Sequence, residues 1–503
     1  MLKNRRMPPQ HIRKAMTMQP IRGWIHKAPA CALAVFLLAG CAVGPDYSVP
    51  ALGLPQGWFT SGVAVDDKMT VQEDWWKQFN DPVLDALISK ASSGNFDMKI
   101  AEARIAQARA TGSSAQADLL PTVNVTGLGD RQSNRIAFGD APFNLSKPFN
   151  TFQAGFDASW EIDIFGGKRR EIESDTATLK AAEATRDDVR ISLIAEVARG
   201  YVDIRQYQQQ IALVGDTAAA DLKTVDIAGQ RYRSGNTAGL DVTQAKAQLA
   251  QAQTQLPYYQ NLLAQAEFRM DVLLGEQPGA THALVADHAP IPDTDKELIL
   301  TAPASVIANR PDIRVAERQL AAATAQQGVA VAQFFPKISL SGFLGLLNTD
   351  AGKLLLANSK SWDAGANVLW PILNYGKLSA GTALADARQQ EALAHYQKIV
   401  ISALSDVEQA ATAYIRQQEF TAAQAKTVAD NAHAADIAHM RYKEGLSSFI
   451  EVLDAQRTLY ASQSQLAAAR GILAQDRIAV YKSLGGGWKD APVAGDATGF
   501  LLE

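Results

Sequence analysis

The feature that most constrains this chain is that it says the same thing twice. Ala101-Glu102-Ala103 through Leu120-Pro121 aligns without gaps on Ala316-Glu317-Arg318 through Phe335-Pro336, pairing Ala101 with Ala316, Glu102 with Glu317, Ala115 with Ala330, Ala117 with Ala332 and Pro121 with Pro336. Further on, Arg231-Tyr232-Arg233-Ser234-Gly235 answers Arg441-Tyr442-Lys443-Glu444-Gly445. At that same offset Val242, Ala245, Leu249, Leu256 and Leu274-Gly275 find Val452, Ala455, Leu459, Leu466 and Leu484-Gly485. A tandem duplication restricts the fold to two copies of one supersecondary plan.

That plan is read from periodicity. A helical stretch, 82 to 118 and again 311 to 334, runs into a proline and then alternates: Thr122 to Gly127, and Lys337 to Gly342. Alternation after a helix-ending proline predicts a strand. A second strand is predicted over Phe152 to Ile164 and over Trp362 to Leu373. In the first of these, Phe152, Ala154, Phe156, Ala158, Trp160 and Ile162 share one face, while Gln153, Asp157, Ser159, Glu161 and Asp163 take the other. Such a wall suits lipid on one side and water on the other.

After each strand pair the period changes. Lys168 to Arg231 and Lys377 to Glu444 contain no proline and are rich in good helix formers; helices of that length reach roughly 100 Å. Gly235 and Gly445 then punctuate a turn before a returning arm. In the first arm Val242, Ala245, Leu249, Ala252, Leu256, Tyr259, Leu263, Ala266, Met270 and Leu273 step by three and four, a heptad seam. The second arm follows less cleanly, with Asp476 on the seam. An ordinary antiparallel coiled coil would produce the same heptads, so the strands must decide. Four strands cannot close a membrane barrel, for which the smallest single chains use about eight, and open sheet edges in lipid leave backbone groups unpaired. Several chains must share one barrel; two would supply eight strands and three twelve.

The N-terminus predicts export. Residues 1 to 27 carry Lys3, Arg5, Arg6, Arg13, Lys14, Arg22 and Lys27 without an acid, and Ala28 to Gly40 is apolar or small apart from Pro29 and Cys31. This is a signal peptide, with Met7, Met16 and Met18 as alternative starts. Leu38-Ala39-Gly40-Cys41 looks like a bacterial lipobox, which makes Cys41 the lipidated first residue of the mature chain; the bland alternative is a buried small side chain. Cys31 lies in the removed leader, leaving no intramolecular disulfide to form. Among the 503 residues 47% are hydrophobic and 20% charged, and the net charge of -4 gives no basic surface for nucleic acid. The boundaries follow: signal peptide 1 to 40, lipidated segment 41 to 74, first repeat 75 to 285, linker 286 to 305, second repeat 306 to 485, tail 486 to 503.

From Pro45-Asp46-Tyr47 and Trp75-Trp76-Lys77-Gln78-Phe79-Asn80-Asp81-Pro82, through both Arg-Tyr-x-x-Gly turns, to Val452-Leu453-Asp454-Ala455-Gln456-Arg457 and Leu484-Gly485, the chain resembles the TolC-type outer-membrane efflux proteins. It is most similar to their lipidated OprM and NodT branch. The resemblance implies a mainly α fold with a membrane β-barrel: a homotrimer whose twelve strands close the barrel and whose duplicated helical hairpins form a periplasmic α-barrel. It implies an exit duct for small toxic compounds or drugs, working with a periplasmic adaptor and an inner-membrane RND-type pump, in the outer membrane, without a cofactor beyond lipid on Cys41. Ala42 rather than Asp after that cysteine goes, in such lipoproteins, with outer-membrane retention.

No catalytic motif appears: there is no His-Glu-x-x-His, no phosphate-cradling Gly-Lys loop and no Gly-x-Ser-x-Gly. His433 and His439, six apart, lie on different helix faces. An enzyme is not expected; a type I protein-secretion duct and a non-conducting lipoprotein scaffold are the alternatives. By the resemblance, Gly235 and Gly445 mark the tips that meet the adaptor, against a bland reading as turn glycines. Ile450 and Asp454, four apart on one helix face, match apolar and acidic gate positions. Arg457 would brace the closed state by pairing with Asp454 or a neighbouring helix, against a bland reading as a solvated pair. Leu240 and Gln244 are the first-copy counterparts.

Overall fold

A computed structural model describes residues 42–66, 73–133, 148–293 and 297–488. Cys41 and the signal peptide lie outside the described residues, as does the tail beyond 488. The first copy runs α1 (Pro82–Gly94), α2 (Phe96–Ala117), β1 (Thr122–Gln132), β2 (Phe149–Ile162), α3 (Gly167–Arg233), α4 (Gly239–Leu274) and a short α5 (Ala280–Val285). The second runs α6 (Pro303–Asn309), α7 (Pro311–Ala332), β3 (Lys337–Asn348), β4 (Lys360–Leu369), α8 (Tyr375–Lys443) and α9 (Phe449–Leu484). Each copy contributes to two compact units, one built on the strands and one on the helices.

In the first unit the strands form one antiparallel sheet in the order β1-β2-β3-β4. Its register sets Val125, Phe156, Leu344 and Trp362 side by side across all four strands. These four are 79%, 56%, 66% and 76% exposed, so the row stands mostly uncovered among the described residues. The next row, on the opposite face, is Asn124, Asp157, Phe343 and Asp363. Phe343 is buried there because Gly155 and Gly345, paired across β2 and β3, leave room; a Cβ on Gly155 would sit 2.7 Å from its ring. Among the described residues β1 and β4 each pair on one side only, so the sheet has two open edges.

In the second unit α3 and α8 run 67 and 69 residues, roughly 100 Å each. Their buried faces are alanine-rich, with Ala198, Ala228, Ala403 and Ala411 wholly enclosed, which lets neighbouring helices approach closely. All ten seam residues of α4 are buried or half-buried, and off-seam Tyr258 and Phe268 are exposed. Pro257 lies inside α4 without ending it. Asp476, which interrupts the seam in the second copy, is half-buried, and burial pushes its carboxyl up. The main core gathers Trp75, Tyr201, Met270, Ile478 and Tyr481, with Trp75 stacked on Tyr481 at 5.3 Å. No described helix is long and apolar enough to cross a membrane.

The helix expected over 82 to 118 is broken into α1 and α2. Gly94 sits so close to the end of α4 that a Cβ would lie 2.5 Å from the Leu274 carbonyl oxygen. Asn95 then leaves helical geometry and caps α2, its side chain accepting from Asp97 N at 2.7 Å and Met98 N at 3.1 Å. Its Nδ2 donates to the Leu273 carbonyl at 3.0 Å, fastening the α1–α2 joint onto the C-terminus of α4. The second copy repeats the arrangement with other chemistry. Arg310, between α6 and α7, donates from Nη1 to the Ser483 carbonyl at 3.0 Å and pairs with Asp312 at 2.6 Å and Asp406 at 3.1 Å.

Candidate functional site: the helical tips and the face beside them

The two turns close in the same way. Gly235 N donates to Tyr232 O at 3.0 Å and Asn236 N to Arg231 O at 2.8 Å; Gly445 N donates to Tyr442 O at 3.0 Å and Leu446 N to Arg441 O at 2.8 Å. Both glycines have positive φ, +74° and +78°. Neither would meet a clash if given a Cβ, since Gly235 has nothing within 4 Å and Gly445 only Arg231 Nη2 at 3.9 Å. Glycine is required there by the left-handed backbone that ends each long helix, and both positions stand exposed.

The helices leaving the turns start differently. At α9, Ser448 and Glu451 form a capping box and Phe449 enters a small core with Ala228, Ala245, Tyr442, Val452 and Leu453. At α4 the residue before the helix, Ala238, offers no side-chain cap, and Gly239 stands where the second copy has Phe449. Burying Val452 and Leu453 turns the opposite side of α9 outward, and Ile450 and Asp454 lie on it, both exposed. Their first-copy counterparts Leu240 and Gln244 are exposed and half-buried.

Arg457 reaches the neighbouring helix, donating from Nε to Gln248 Oε1 on α4 at 2.7 Å. Behind it lies Asp221 of α3, buried, with Oδ2 lacking a hydrogen-bond partner among the described residues. Burial pushes the Asp221 carboxyl up to about 6, and the Arg457 charge pulls it partly back. The preceding residue, Gln456, donates from Nε2 to Thr224 Oγ1 at 3.1 Å and to His439 Nε2 at 2.7 Å. Burial lowers the His439 pKa, with the Asp436 charge opposing it. Asp221 and Thr224 of α3, Gln248 of α4, His439 of α8 and Gln456 and Arg457 of α9 thus form a polar cluster, which meets α9 just beyond Asp454 in the chain. Sequence reasoning singled out Arg457 and missed Asp221 and Gln248; a charged residue amid the alanine-rich stretch of α3 was the available signal for the first.

Comparison with known proteins agrees with this architecture. Residues 87–276 and 302–486, one block per copy, match the family described as outer membrane efflux protein. The pyoverdine export outer membrane protein OpmQ of Pseudomonas aeruginosa is 32% identical over 472 residues, covering 91% of this chain and 96% of its own. The toluene efflux pump outer membrane protein TtgC of Pseudomonas putida is 31% identical over 466 residues, covering 91% and 95%. The solved outer-membrane channel OprN superposes with a TM-score of 0.82 at 33% identity, covering 89% of this chain and all of that one. With both copies matched, the chain belongs to the outer membrane efflux protein family, whose work is passage through the outer membrane and not catalysis.

Proposed function

We propose that three copies of this chain form one exit duct of a tripartite efflux system. The observation that supports this most is the four-stranded sheet with both edges open and an exposed apolar row. Bilayer hydrocarbon tolerates no unpaired strand edge, so the sheet must be completed by other copies, and three give a twelve-stranded barrel, a size known for such walls. In this reading lipid on Cys41 is a second hold on the membrane. The turns at Gly235 and Gly445 meet a periplasmic adaptor, which links the duct to an inner-membrane RND-type pump. Relatives named for pyoverdine and toluene point to small organic molecules as cargo, chosen by the pump.

Ile450 and Asp454 are the proposed gate. Three-fold repetition makes an apolar ring of the first and a carboxylate ring of the second, a combination that narrows the mouth and repels anions. Arg457, bonded to Gln248, braces the closed helix. The test is Ile450→Ala with Asp454→Ala in planar bilayers. Single-channel conductance is expected to rise several-fold and large antibiotics such as vancomycin to enter cells lacking an active pump. Unchanged conductance in stable trimers would move the gate to Leu240 and Gln244.

A further inference from the structure

The residues between β3 and β4, Thr349 to Ser359, form a loop that is firmly fastened and apolar at its tip. Asn348, the last residue of β3, holds both of its ends: Oδ1 accepts from Asp350 N at 3.0 Å and Nδ2 donates to Ser359 Oγ at 2.7 Å. Ser359 is buried, and its Oγ donates onward to the Lys353 carbonyl at 2.8 Å. Single turns of 3-10 helix at Ala351–Lys353 and Ala357–Ser359 fill the remainder, the first capped by the Asp350 carboxylate on Gly352 N at 2.9 Å. These bonds fix the backbone, and it holds Leu355 at 87% exposed and Leu356 at 51%. Successive leucines presented to solvent on a fixed backbone call for an apolar cover.

The strand register identifies that cover. Asn348 and Lys360 alternate onto the same face as Leu344 and Trp362, so the amide that gathers the loop draws it toward the apolar face of the sheet. Lys360 is exposed and pairs with Leu346, one step beyond the pair Leu344 and Trp362. A lysine on a lipid-facing strand is costly at the middle of a bilayer and nearly neutral at its interface, so Lys360 marks the headgroup level. Just past the other end of β4 stands Trp370, also exposed, and tryptophan favours the opposite interface. The ten residues of β4, rising about 3.3 Å each on a strand tilted about 40°, carry the chain about 25 Å from one level to the other, the height of the apolar band of such barrels.

We propose that the β3–β4 loop is a lipid-docking lip, with Leu354, Leu355 and Leu356 entering the acyl edge of the outer leaflet and Lys360 reaching its phosphates. The loop closes the sheet at the end opposite Pro336 and Trp370, where the chain passes to and from the helices, so the leaflet it meets is the outer one. The inference rests on the membrane barrel proposed above. Leucine side chains leave water for acyl chains at no polar cost, and the lysine stem lies along apolar surface while its ammonium stays among the headgroups. The Asn348–Ser359–Lys353 chain of hydrogen bonds sets the leucines beside Lys360, so that both parts of one lipid are engaged together.

The described residues contain no cysteine, so Leu355→Cys directs a polarity-sensitive thiol dye to the loop. The labelled protein is placed in vesicles of phosphatidylethanolamine and phosphatidylglycerol and quenched either by acyl-brominated lipid or by aqueous iodide, with labelled Trp362→Cys as the control for the membrane face. The expected result is blue-shifted emission from Leu355→Cys, cut at least two-fold by brominated lipid and little affected by iodide. Quenching by iodide alone, while Trp362→Cys responds to brominated lipid, would overturn the lip and leave the barrel standing. Quenching by neither would also overturn it, since protein would then cover the loop. A Trp362→Cys label untouched by brominated lipid would instead overturn the membrane face itself. Bromine carried on phosphatidylglycerol should quench Leu355→Cys about two-fold more than bromine on phosphatidylethanolamine, because the lysine concentrates anionic lipid beside the loop. Adding Lys360→Gln should abolish that preference, and a preference that survives would overturn the phosphate contact.

Discussion

The two copies of the repeat share an outline, and the second is fastened more firmly than the first at both ends of its returning helix. At the turn, Phe449 is enclosed and Ser448 with Glu451 caps α9, whereas Gly239 starts α4 behind an uncapped Ala238. At the opposite end, Ser483 O receives a guanidinium held by two carboxylates, whereas Leu273 O receives a neutral amide. Duplication kept the positions of the contacts and let their chemistry diverge. In the assembly proposed above, such divergence makes the second-copy helices the frame and leaves the first-copy helices freer to move.

The sharpest way to break this contrast is at the turns. Phe449→Ala removes the largest apolar member of a small core and should destabilise the α8–α9 end by about 3 kcal/mol. Gly239→Ala meets only ordinary contact with Tyr232 at 3.5 Å and should stabilise α4 by about 0.5 kcal/mol. Hydrogen exchange at the two turns measures both, and a matching loss of protection in the two variants would erase the asymmetry.

The joints come next. Arg310→Ala strands Asp312, Asp406 and the Ser483 carbonyl together and should cost about 2–3 kcal/mol, because Asp406 retains water on one side. Asn95→Ala loses a helix cap and one hydrogen bond to a carbonyl, about 2 kcal/mol at most. Denaturant unfolding of the membrane-extracted protein followed by exchange in α2 and α7 ranks them, and a costlier Asn95→Ala would reverse the order.

The smallest effect concerns pH. Asp221 has its carboxyl raised to about 6 by burial, while the same place in the second copy is Asn431. A raised folded pKa means that the folded helix holds its proton more tightly than the unfolded chain does. Stability from this group is therefore full below the ordinary carboxylate range and declines as pH rises toward 6, where the buried charge appears. Local opening around Asp221 should be rarer at pH 5 than at pH 7.5, with no such trend around Asn431. Asp221→Asn should flatten the first-copy response; a persistent trend in that variant would assign it to another group.

Much of this was legible in the sequence because periodicity records one-dimensional facts. The strands begin at Thr122 and Lys337, directly after Pro121 and Pro336, though the preceding helices already end at Ala117 and Ala332, and the long helices α3 and α8 end within two residues of the glycine turns. The break at Gly94 and Asn95 was not legible, since it is imposed by the end of α4, a segment far away in the chain. Phe152 and Ile162 were assigned to the apolar face by alternation, but the row Val125, Phe156, Leu344 and Trp362 needs register, which alternation within one strand does not supply. Around Ile450 and Asp454 the spacing gave the shared face directly. That Arg457 reaches Gln248 and lies near Asp221 depends on which helix is adjacent, a choice that two similar copies leave open.

Several of the fastenings that join distant parts of the helical unit end on main-chain carbonyls. Asn95 reaches Leu273 O, Arg310 reaches Ser483 O, Arg205 reaches Asp287 O, Trp58 reaches Thr301 O and Gln424 reaches Ser462 O. A carbonyl survives any change of the side chain it belongs to, so each of these bonds has only one mutable partner. An amide can therefore give way to a guanidinium in a single step, with no compensating change opposite, as the divergence of Asn95 and Arg310 illustrates. Evolution can retune these attachments one residue at a time, and correlated substitution between positions will be silent about them.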